Sequence, residues 1–211
     1  MNEMRKTLDV PYYTQPTPIT CQSTCLKMYS KYLETKRTMS NIGANKAIED
    51  IWKEINTGTE RPAQVRNSYT NMKWWLEKYF HPTKFEIKST IDADNAIEQV
   101  VTSINRGYPV MVSTNHDRTA GHIILVIGYA GYVQNRSNPN IKFICHDPYG
   151  KFDPQLASRQ YGKRRHESGM SLQIGGEFGP GKAIQYDYDG IRRIRQDKHS
   201  SGRFYLIMVK A

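Results

Sequence analysis

The period of the hydrophobic positions along the chain changes near residue 82. Before that point, apolar side chains recur at helical spacing in three stretches. The first predicted helix begins at Cys21, with Thr20 placed as its N-cap, and the other two span about 41–55 and 62–79. This pattern predicts a mainly helical first part of the chain.

Beyond residue 82, the pattern is typical of strands. Short segments rich in β-branched and aromatic residues predict strands at 84–88 and 110–114, with a helix at about 93–105 between them. Three longer runs have the apolar composition of central strands and are expected to pair with one another. They are HIILVIGYAGYV at 122–133, IKFICHD at 141–147 and RFYLIMVK at 203–210.

The order of these elements predicts an α+β fold in which helices pack on a mainly antiparallel sheet. We expect a single domain over 1–211, with a helical lobe at about 1–82 and a sheet lobe at about 83–211. Residues 148–202 show weak periodicity, which predicts irregular loop with a hairpin at about 181–188.

Composition narrows the class of protein. A hydrophobic fraction of 38%, with 11% aromatic residues, excludes an intrinsically disordered chain. The amino end MNEMRKTLDV lacks the apolar run of a signal peptide, and the longest apolar run, 123–127, is too short to span a bilayer. We therefore expect a protein made in the cytoplasm, without a transmembrane segment.

The chain carries a formal net charge of +10, with a pI near 9.5. A positive field of this size favours polyanionic partners, such as nucleic acids, anionic membranes or the teichoic acids of a bacterial envelope. The basic clusters at 163–165 and 192–195 do not resemble a nucleic-acid-binding motif. Charge alone does not choose among these partners; anionic envelope polymers are one candidate for the basic surface, and nucleic acid is not expected.

Three cysteines offer candidate thiol chemistry. An odd number in a chain without a signal peptide argues against a disulfide framework. Cys21 opens a predicted helix, where free N–H groups and the helix dipole favour a thiolate. Cys25 lies one turn further along the same apolar stripe, and Cys145 lies inside a strand, so both are assigned to the core. Cys21 is the predicted nucleophile.

A reactive thiol needs a base, and the base needs a group that orients it. If the runs at 122–133 and 141–147 form a hairpin that turns in QNRSNPN, the register places His122 beside Asp147. His122 is then the base and Asp147 the orienting acid. By strand alternation, His146 faces the other way and is not a candidate.

An acyl-transfer site also stabilises an oxyanion. Gln15, which precedes Cys21 and is followed by a Pro-rich turn, is the predicted side-chain donor. Zinc is not expected, because the Cys-x3-Cys spacing differs from a Cys-x2-Cys knuckle. The predicted chemistry therefore uses no metal and no cofactor.

These residues lie in strings that resemble a known family. VPYYTQPTPITCQSTCLKMYSKYL, AGHIILVIGYAG and ICHDPYG are similar, in the same order, to segments of the C39-like family of papain-fold cysteine peptidases. The resemblance covers about 9–150. It implies a papain-like fold with Cys21 as nucleophile, His122 as base, Asp147 as orienting acid and Gln15 as oxyanion donor.

The resemblance also implies a substrate class. Members with a DPYG-type block and a basic, single-domain chain are similar to phage and bacterial proteins that act on cell-wall peptide crosslinks. The implied function is that of a phage endolysin, an endopeptidase or amidase that cleaves the peptidoglycan stem peptide or crosslink after release from the cytoplasm. The chain departs from the family at Gln22 and Ser23, where Gly-Pro is usual, so its substrate contacts are expected to differ.

Two other functions fit the same scaffold. One is an intracellular cysteine protease that acts on host proteins or leader peptides. The other is a catalytically silent papain-like protein that binds nucleic acid or inhibits a host process, which the positive charge favours. Binding that survives Cys21→Ala would indicate the second of these alternatives.

Overall fold

The computed structural model describes residues 4–36, 42–114, 121–132, 141–152, 166–168, 181–192 and 202–211. These residues form helices packed against a mainly antiparallel sheet, so the predicted α+β class is confirmed. The helices are α1 (Cys21–Thr35), α2 (Ile42–Asn45), α3 (Ile48–Asn56), α4 (Tyr69–Tyr79) and α5 (Ala93–Asn105). A 3₁₀ turn spans Asp189–Ile191.

Five of the nine described strands follow the predicted runs closely, and the other four lie outside those runs. They are β1 (Met4–Thr7), β2 (Phe85–Thr90), β3 (Val110–Thr114), β4 (His122–Tyr132), β5 (Lys142–His146), β6 (Gly150–Phe152), β7 (His166–Ser168), β8 (Ile184–Tyr186) and β9 (Phe204–Val209). The bounds of α5 and β3 agree with the predicted ones. In α5, the Asp92 carboxylate accepts hydrogen bonds from the Asp94 and Asn95 N–H groups and so fixes the start of the helix.

The main sheet has the order β2-β9-β3-β4-β5-β8, and β1 also pairs with β4. All these pairings are antiparallel. Along one edge of β4, β3 and then β1 follow one another, while β5 occupies the other edge. The prediction that the three long runs pair with one another is therefore only half right. β4 pairs with β5, but β9 lies on the far side of β3.

The core lies between α1 and this sheet. Most of α1 is buried, and β4 is buried on both faces from His122 to Tyr129, as its continuous apolar sequence predicts. Trp75 of α4 is fully buried and donates its indole N–H to Glu54 at 3.1 Å. Burial of both elements holds the amino terminus of α1 at a fixed position against the start of β4.

The helical part differs from its prediction in two places. The stretch predicted at 41–55 is interrupted between α2 and α3, and α4 begins at Tyr69 rather than near residue 62. The late start of α4 has its cause in the loop before this helix. There the Arg61 guanidinium donates to the carbonyls of Gly58, Ala63 and Gln64. These bonds replace the first turns of the predicted helix.

The β4–β5 register also differs from its prediction. A turn centred in QNRSNPN would pair His122 with Asp147, but the ladder ends at the pair Leu125 and His146. The pair nearest the connection is Ala130 with Lys142, so the connection is too long for a tight turn to set the register. The predicted turn itself lies outside the described residues. Asp147 therefore follows the ladder by one residue and is not a strand partner of His122.

The predicted hairpin at 181–188 is also wrong within the described residues. That segment contributes the single strand β8, which adds to the sheet beside β5. Among the described helices, none is both long and apolar enough to cross a membrane.

Candidate active site

Cys21 is the first residue of α1, as predicted. Thr20 occupies the N-cap position, but its hydroxyl makes no cap bond and instead donates to the Thr17 carbonyl at 2.9 Å and accepts from the Thr17 N–H at 3.2 Å. These bonds close the Pro-rich turn immediately before the helix. The Cys21 side chain is consequently held at the helix terminus, 8% exposed.

His122 is the first residue of β4 and lies opposite Thr114 of β3. Its Nε2 lies 2.7 Å from Asp147 Oδ1, and both side chains are fully buried. The preceding Gly121 has a φ of 78°, a conformation that glycine adopts without the strain a side chain would bring. The Gly-His pair thus allows the chain to turn into β4 with the imidazole facing inward.

The pKa of His122 depends on its burial and on the side chains of Asp147 and Cys21. Burial alone would lower the pKa of His122, but the charge and hydrogen bond of Asp147, together with a hydrogen bond to the Cys21 side chain, raise it to about 9. Because Nε2 faces Asp147, Nδ1 is the ring nitrogen left for the thiol. His122 therefore contacts Asp147 directly, through a register other than the predicted one, and its pKa also depends on Cys21.

Asp147 is surrounded by hydrogen-bond donors. Oδ1 also accepts from the Tyr149 N–H at 3.0 Å, and Oδ2 accepts from the Tyr186 hydroxyl at 2.9 Å. Burial and the charge of Asp147 raise the pKa of Tyr186, so the phenol keeps its proton and remains a donor. The Tyr12 hydroxyl donates to the Asp147 carbonyl at 3.1 Å. A fully buried carboxylate is stable in its charged form only with such partners.

Gly181 explains how the segment that leads into β8 closes on Asp147. Its carbonyl accepts from the Asp147 N–H at 2.9 Å, and a Cβ at this position would lie 1.8 Å from the Asp147 carbonyl oxygen. Only glycine allows this approach. A hairpin was predicted at residue 181, and the bond between Tyr186 and Asp147 was not predicted. No local sequence pattern at Gly181 or Tyr186 indicates a contact with so distant a residue.

Gln15 is buried beside the turn that follows Asp147. Its N–H donates to the Pro148 carbonyl at 2.8 Å, and its Nε2 donates to the Thr17 carbonyl at 2.7 Å. The second Nε2 hydrogen is not used by that bond, and Oε1 has no hydrogen-bond partner among the residues that the structure describes. The two bonds of Gln15 tie the segment before Cys21 to the segment that carries Asp147.

The two remaining cysteines are buried. Burial raises the pKa of the Cys25 thiol, which donates to the Ile123 carbonyl at 3.4 Å, and that of the Cys145 thiol. Thiols of this kind react slowly as nucleophiles. The described residues contain no group of three or more His, Cys, Asp and Glu side chains arranged to hold a metal ion.

A further contact near the thiol was missed from the sequence. The Gln22 side chain accepts a hydrogen bond from Cys21 Sγ at 3.4 Å and donates to Asn67 at 2.7 Å. The departure from Gly-Pro marked this position as unusual, but the contact with Asn67 depends on a distant loop.

Comparison with known proteins agrees with this geometry. The model of the Peptidase_C39 like family matches residues 7–168, which include every residue of the site except Gly181 and Tyr186. A search of curated protein sequences found no match. The matched segment covers most of the chain and contains both the helix that bears the thiol and the strand that bears the histidine, in a fold consistent with papain-like peptidases. The chain belongs to the Peptidase_C39 like family.

Proposed function

We propose that the protein is a cysteine peptidase or amidase that cleaves an amide bond through an acyl-enzyme, with Cys21, His122 and Asp147 as its triad. The observation that carries this function is the 2.7 Å contact between His122 and Asp147, behind a thiol at a helix amino terminus. A histidine held in this way is oriented to take a proton from Cys21.

In the proposed first step, His122 Nδ1 takes the Cys21 proton, and the thiolate attacks the amide carbonyl to form a tetrahedral oxyanion. An imidazolium that Asp147 stabilises favours the thiolate beside it. Collapse of the intermediate breaks the C–N bond, and His122 returns the proton to the leaving amine. A thioester of Cys21 remains.

In the second step, water attacks this thioester with His122 as the base, and the Cys21 thiol leaves as the acid product forms. The oxyanion of both steps is stabilised by the Cys21 N–H and by the second Nε2 hydrogen of Gln15. The N–H groups of the first helical turn have no acceptor within the helix, which suits Cys21 to this role. The bond from Gln15 Nε2 to the Thr17 carbonyl fixes the orientation of the amide.

We further propose peptidoglycan as the substrate, with cleavage in the stem peptide or its crosslink, as in a phage endolysin. The net charge of +10 favours association with the anionic polymers of a bacterial envelope. The resemblance of the DPYG-type block to wall-directed members of the family favours the same substrate class.

The test compares wild-type protein with Cys21→Ala on purified peptidoglycan sacculi. Cys25→Ala is the matched control, because it makes the same chemical change one turn along α1 at a fully buried thiol. We expect clearing by the wild type and by Cys25→Ala, and none by Cys21→Ala. Mass spectrometry of the released fragments distinguishes an endopeptidase from an amidase.

Equal clearing by the wild type and Cys21→Ala would contradict the assignment of the nucleophile. Cleavage of a protein substrate, but not of sacculi, would contradict the substrate while leaving the chemistry intact. Salt-sensitive DNA or RNA binding that is unchanged in Cys21→Ala, without any cleavage, would indicate the nucleic-acid-binding alternative.

A further inference from the structure

Gln22 contacts the thiol of Cys21 directly. It is the second residue of α1 and is 2% exposed, and its Oε1 accepts a hydrogen bond from Cys21 Sγ at 3.4 Å. Only a protonated thiol can make this bond, because a thiolate has no hydrogen to donate. The bond therefore belongs to the protonated form of the nucleophile.

The orientation of the Gln22 carboxamide is fixed from its other end. Nε2 donates to Asn67 Oδ1 at 2.7 Å, so the oxygen of Gln22 faces the thiol. The Asn67 N–H in turn donates to Oδ1 of the buried Asn56 at 2.7 Å. Asn67 has a φ of 57°, a conformation that asparagine tolerates better than most residues. Gln22 thus connects Cys21 to the loop before α4, and Asn56 at the end of α3 holds that loop through the Asn67 backbone.

The thiol has a single proton, for which Gln22 Oε1 and the proposed base His122 compete. His122 must receive that proton to form the nucleophile, whereas Gln22 Oε1 holds it on sulfur. A hydrogen bond to the neutral form of an acid disfavours its ionisation. We propose that Gln22, oriented by Asn67, holds Cys21 in its protonated form and so sets the pH at which the nucleophile forms.

This inference rests on the proposed role of Cys21. Within the described part of the chain, His122 of β4, with Asp147 behind it, and Cys25 of α1 are titratable groups that interact with the thiol. The loop side contributes the neutral amides of Gln22 and Asn67. Substitutions at those two positions therefore change the hydrogen bond without removing a charged group from the thiol.

The experiment measures alkylation of Cys21 by iodoacetamide as a function of pH, with mass spectrometry to separate Cys21 from the two buried thiols. In Gln22→Ala we expect the midpoint to move to lower pH by about half to one unit, and the rate on the acidic side to rise about 3- to 10-fold, as for the loss of one hydrogen bond. Circular dichroism checks that each variant is folded.

Asn67 supplies a matched pair of variants. Asn67→Gly removes the amide while permitting the positive φ, so Gln22 can rotate and the midpoint moves the same way by a smaller amount. Asn67→Asp can only accept, so it keeps the oxygen of Gln22 on the thiol, and no shift to lower pH is expected. These variants change a loop residue and keep the test decisive if Gln22→Ala does not fold.

An unchanged or higher midpoint in Gln22→Ala would overturn the proposal, as would a shift to lower pH in Asn67→Asp. Alkylation requires no substrate turnover. The outcome is therefore separate from the test of the proposed function, and either can fail while the other succeeds.

Discussion

Two buried histidines on adjacent strands have opposite electrostatics. His122 begins β4 and has its pKa raised to about 9, whereas His146 ends β5 and has its pKa lowered to about 4. Burial lowers the pKa of both. The difference arises from their partners, because His122 contacts a carboxylate, whereas His146 bonds neutral peptide groups and lies in the positive field of Lys182.

The surroundings of His146 leave no place for a second ring proton. Its Nε2–H donates to the Val10 carbonyl at 2.8 Å, and its Nδ1 accepts from the Ala183 N–H at 3.0 Å. The ring also makes an edge contact with Tyr12. His146 is consequently a neutral structural link between the amino-terminal segment and β8, while the carboxylate beside His122 makes that ring suited to proton transfer.

The largest effect is expected from Asp147→Asn, which removes the charge responsible for the difference in pKa between His122 and His146. Burial then dominates at His122, so its pKa should fall below the usual 6.5 and the imidazolium should be lost at neutral pH. We expect kcat/KM to fall roughly 10²- to 10⁴-fold, the range associated with general acid–base catalysis. The rate of Cys21 alkylation at neutral pH should fall with it.

An NMR titration of the histidine rings separates this cause from misfolding. In Asp147→Asn the resonance of His122 should titrate at lower pH, while that of His146 should not move. Loss of activity with an unchanged His122 titration would contradict the role given to the carboxylate.

The sequence predicted the members of this site better than it predicted their geometry. The burial of Cys25 one turn into α1 confirms its assignment to the core, and His146, which strand alternation directed away from His122, bonds Val10 and Ala183. Both inferences depend on local periodicity, which neighbouring residues determine. The roles of Cys21, His122, Asp147 and Gln15 in catalysis stay predictions.

What the sequence could not predict depends on contacts between distant segments. The pairing of β9 with β3, rather than with β4, and the approach of Tyr186 to Asp147 both join residues far apart in the chain. The β4–β5 register was wrong because a long connection does not transmit the geometry of a turn to the strands. Gln22 has no sequence pattern that indicates its bond to Asn67.

The next effect concerns the pH dependence of stability. Because the pKa of His146 falls from 6.5 in the unfolded chain to about 4 in the fold, its contribution is fully present above pH 6.5 and is lost as the pH falls towards 4. This loss amounts to about 3 kcal/mol at 1.36 kcal/mol per pKa unit. In His146→Gln, which keeps a donor and an acceptor but does not titrate, urea unfolding should show a correspondingly weaker decline over that range.

The contribution of His122 to stability has the opposite pH dependence. Its raised pKa gives a contribution that is present below pH 6.5 and is lost as the pH rises towards about 9. The decline of stability on the alkaline side should therefore be the same in His146→Gln and in the wild type. A different alkaline decline of stability in His146→Gln, or an unchanged acidic decline, would contradict the separate contributions given to the two rings.

The smallest effect is expected from Tyr186→Phe, which removes one neutral hydrogen-bond donor from the carboxylate of Asp147. The hydroxyl donates to Asp147 Oδ2 at 2.9 Å and accepts from the Phe152 N–H at 2.8 Å. A hydrogen bond to a charged group contributes about 1.5–3 kcal/mol, so the free energy of unfolding should fall by that amount. Tyr129→Phe is the matched control, because its hydroxyl donates at 2.8 Å to the neutral amide of Asn105 and should contribute only about 0.5–1.5 kcal/mol.

Since His122 and the Tyr149 N–H still hold Asp147 in Tyr186→Phe, kcat/KM should fall less than about tenfold, far less than in Asp147→Asn. Equal losses of stability in the two tyrosine variants would mean that the carboxylate is sufficiently stabilised without the Tyr186 hydroxyl.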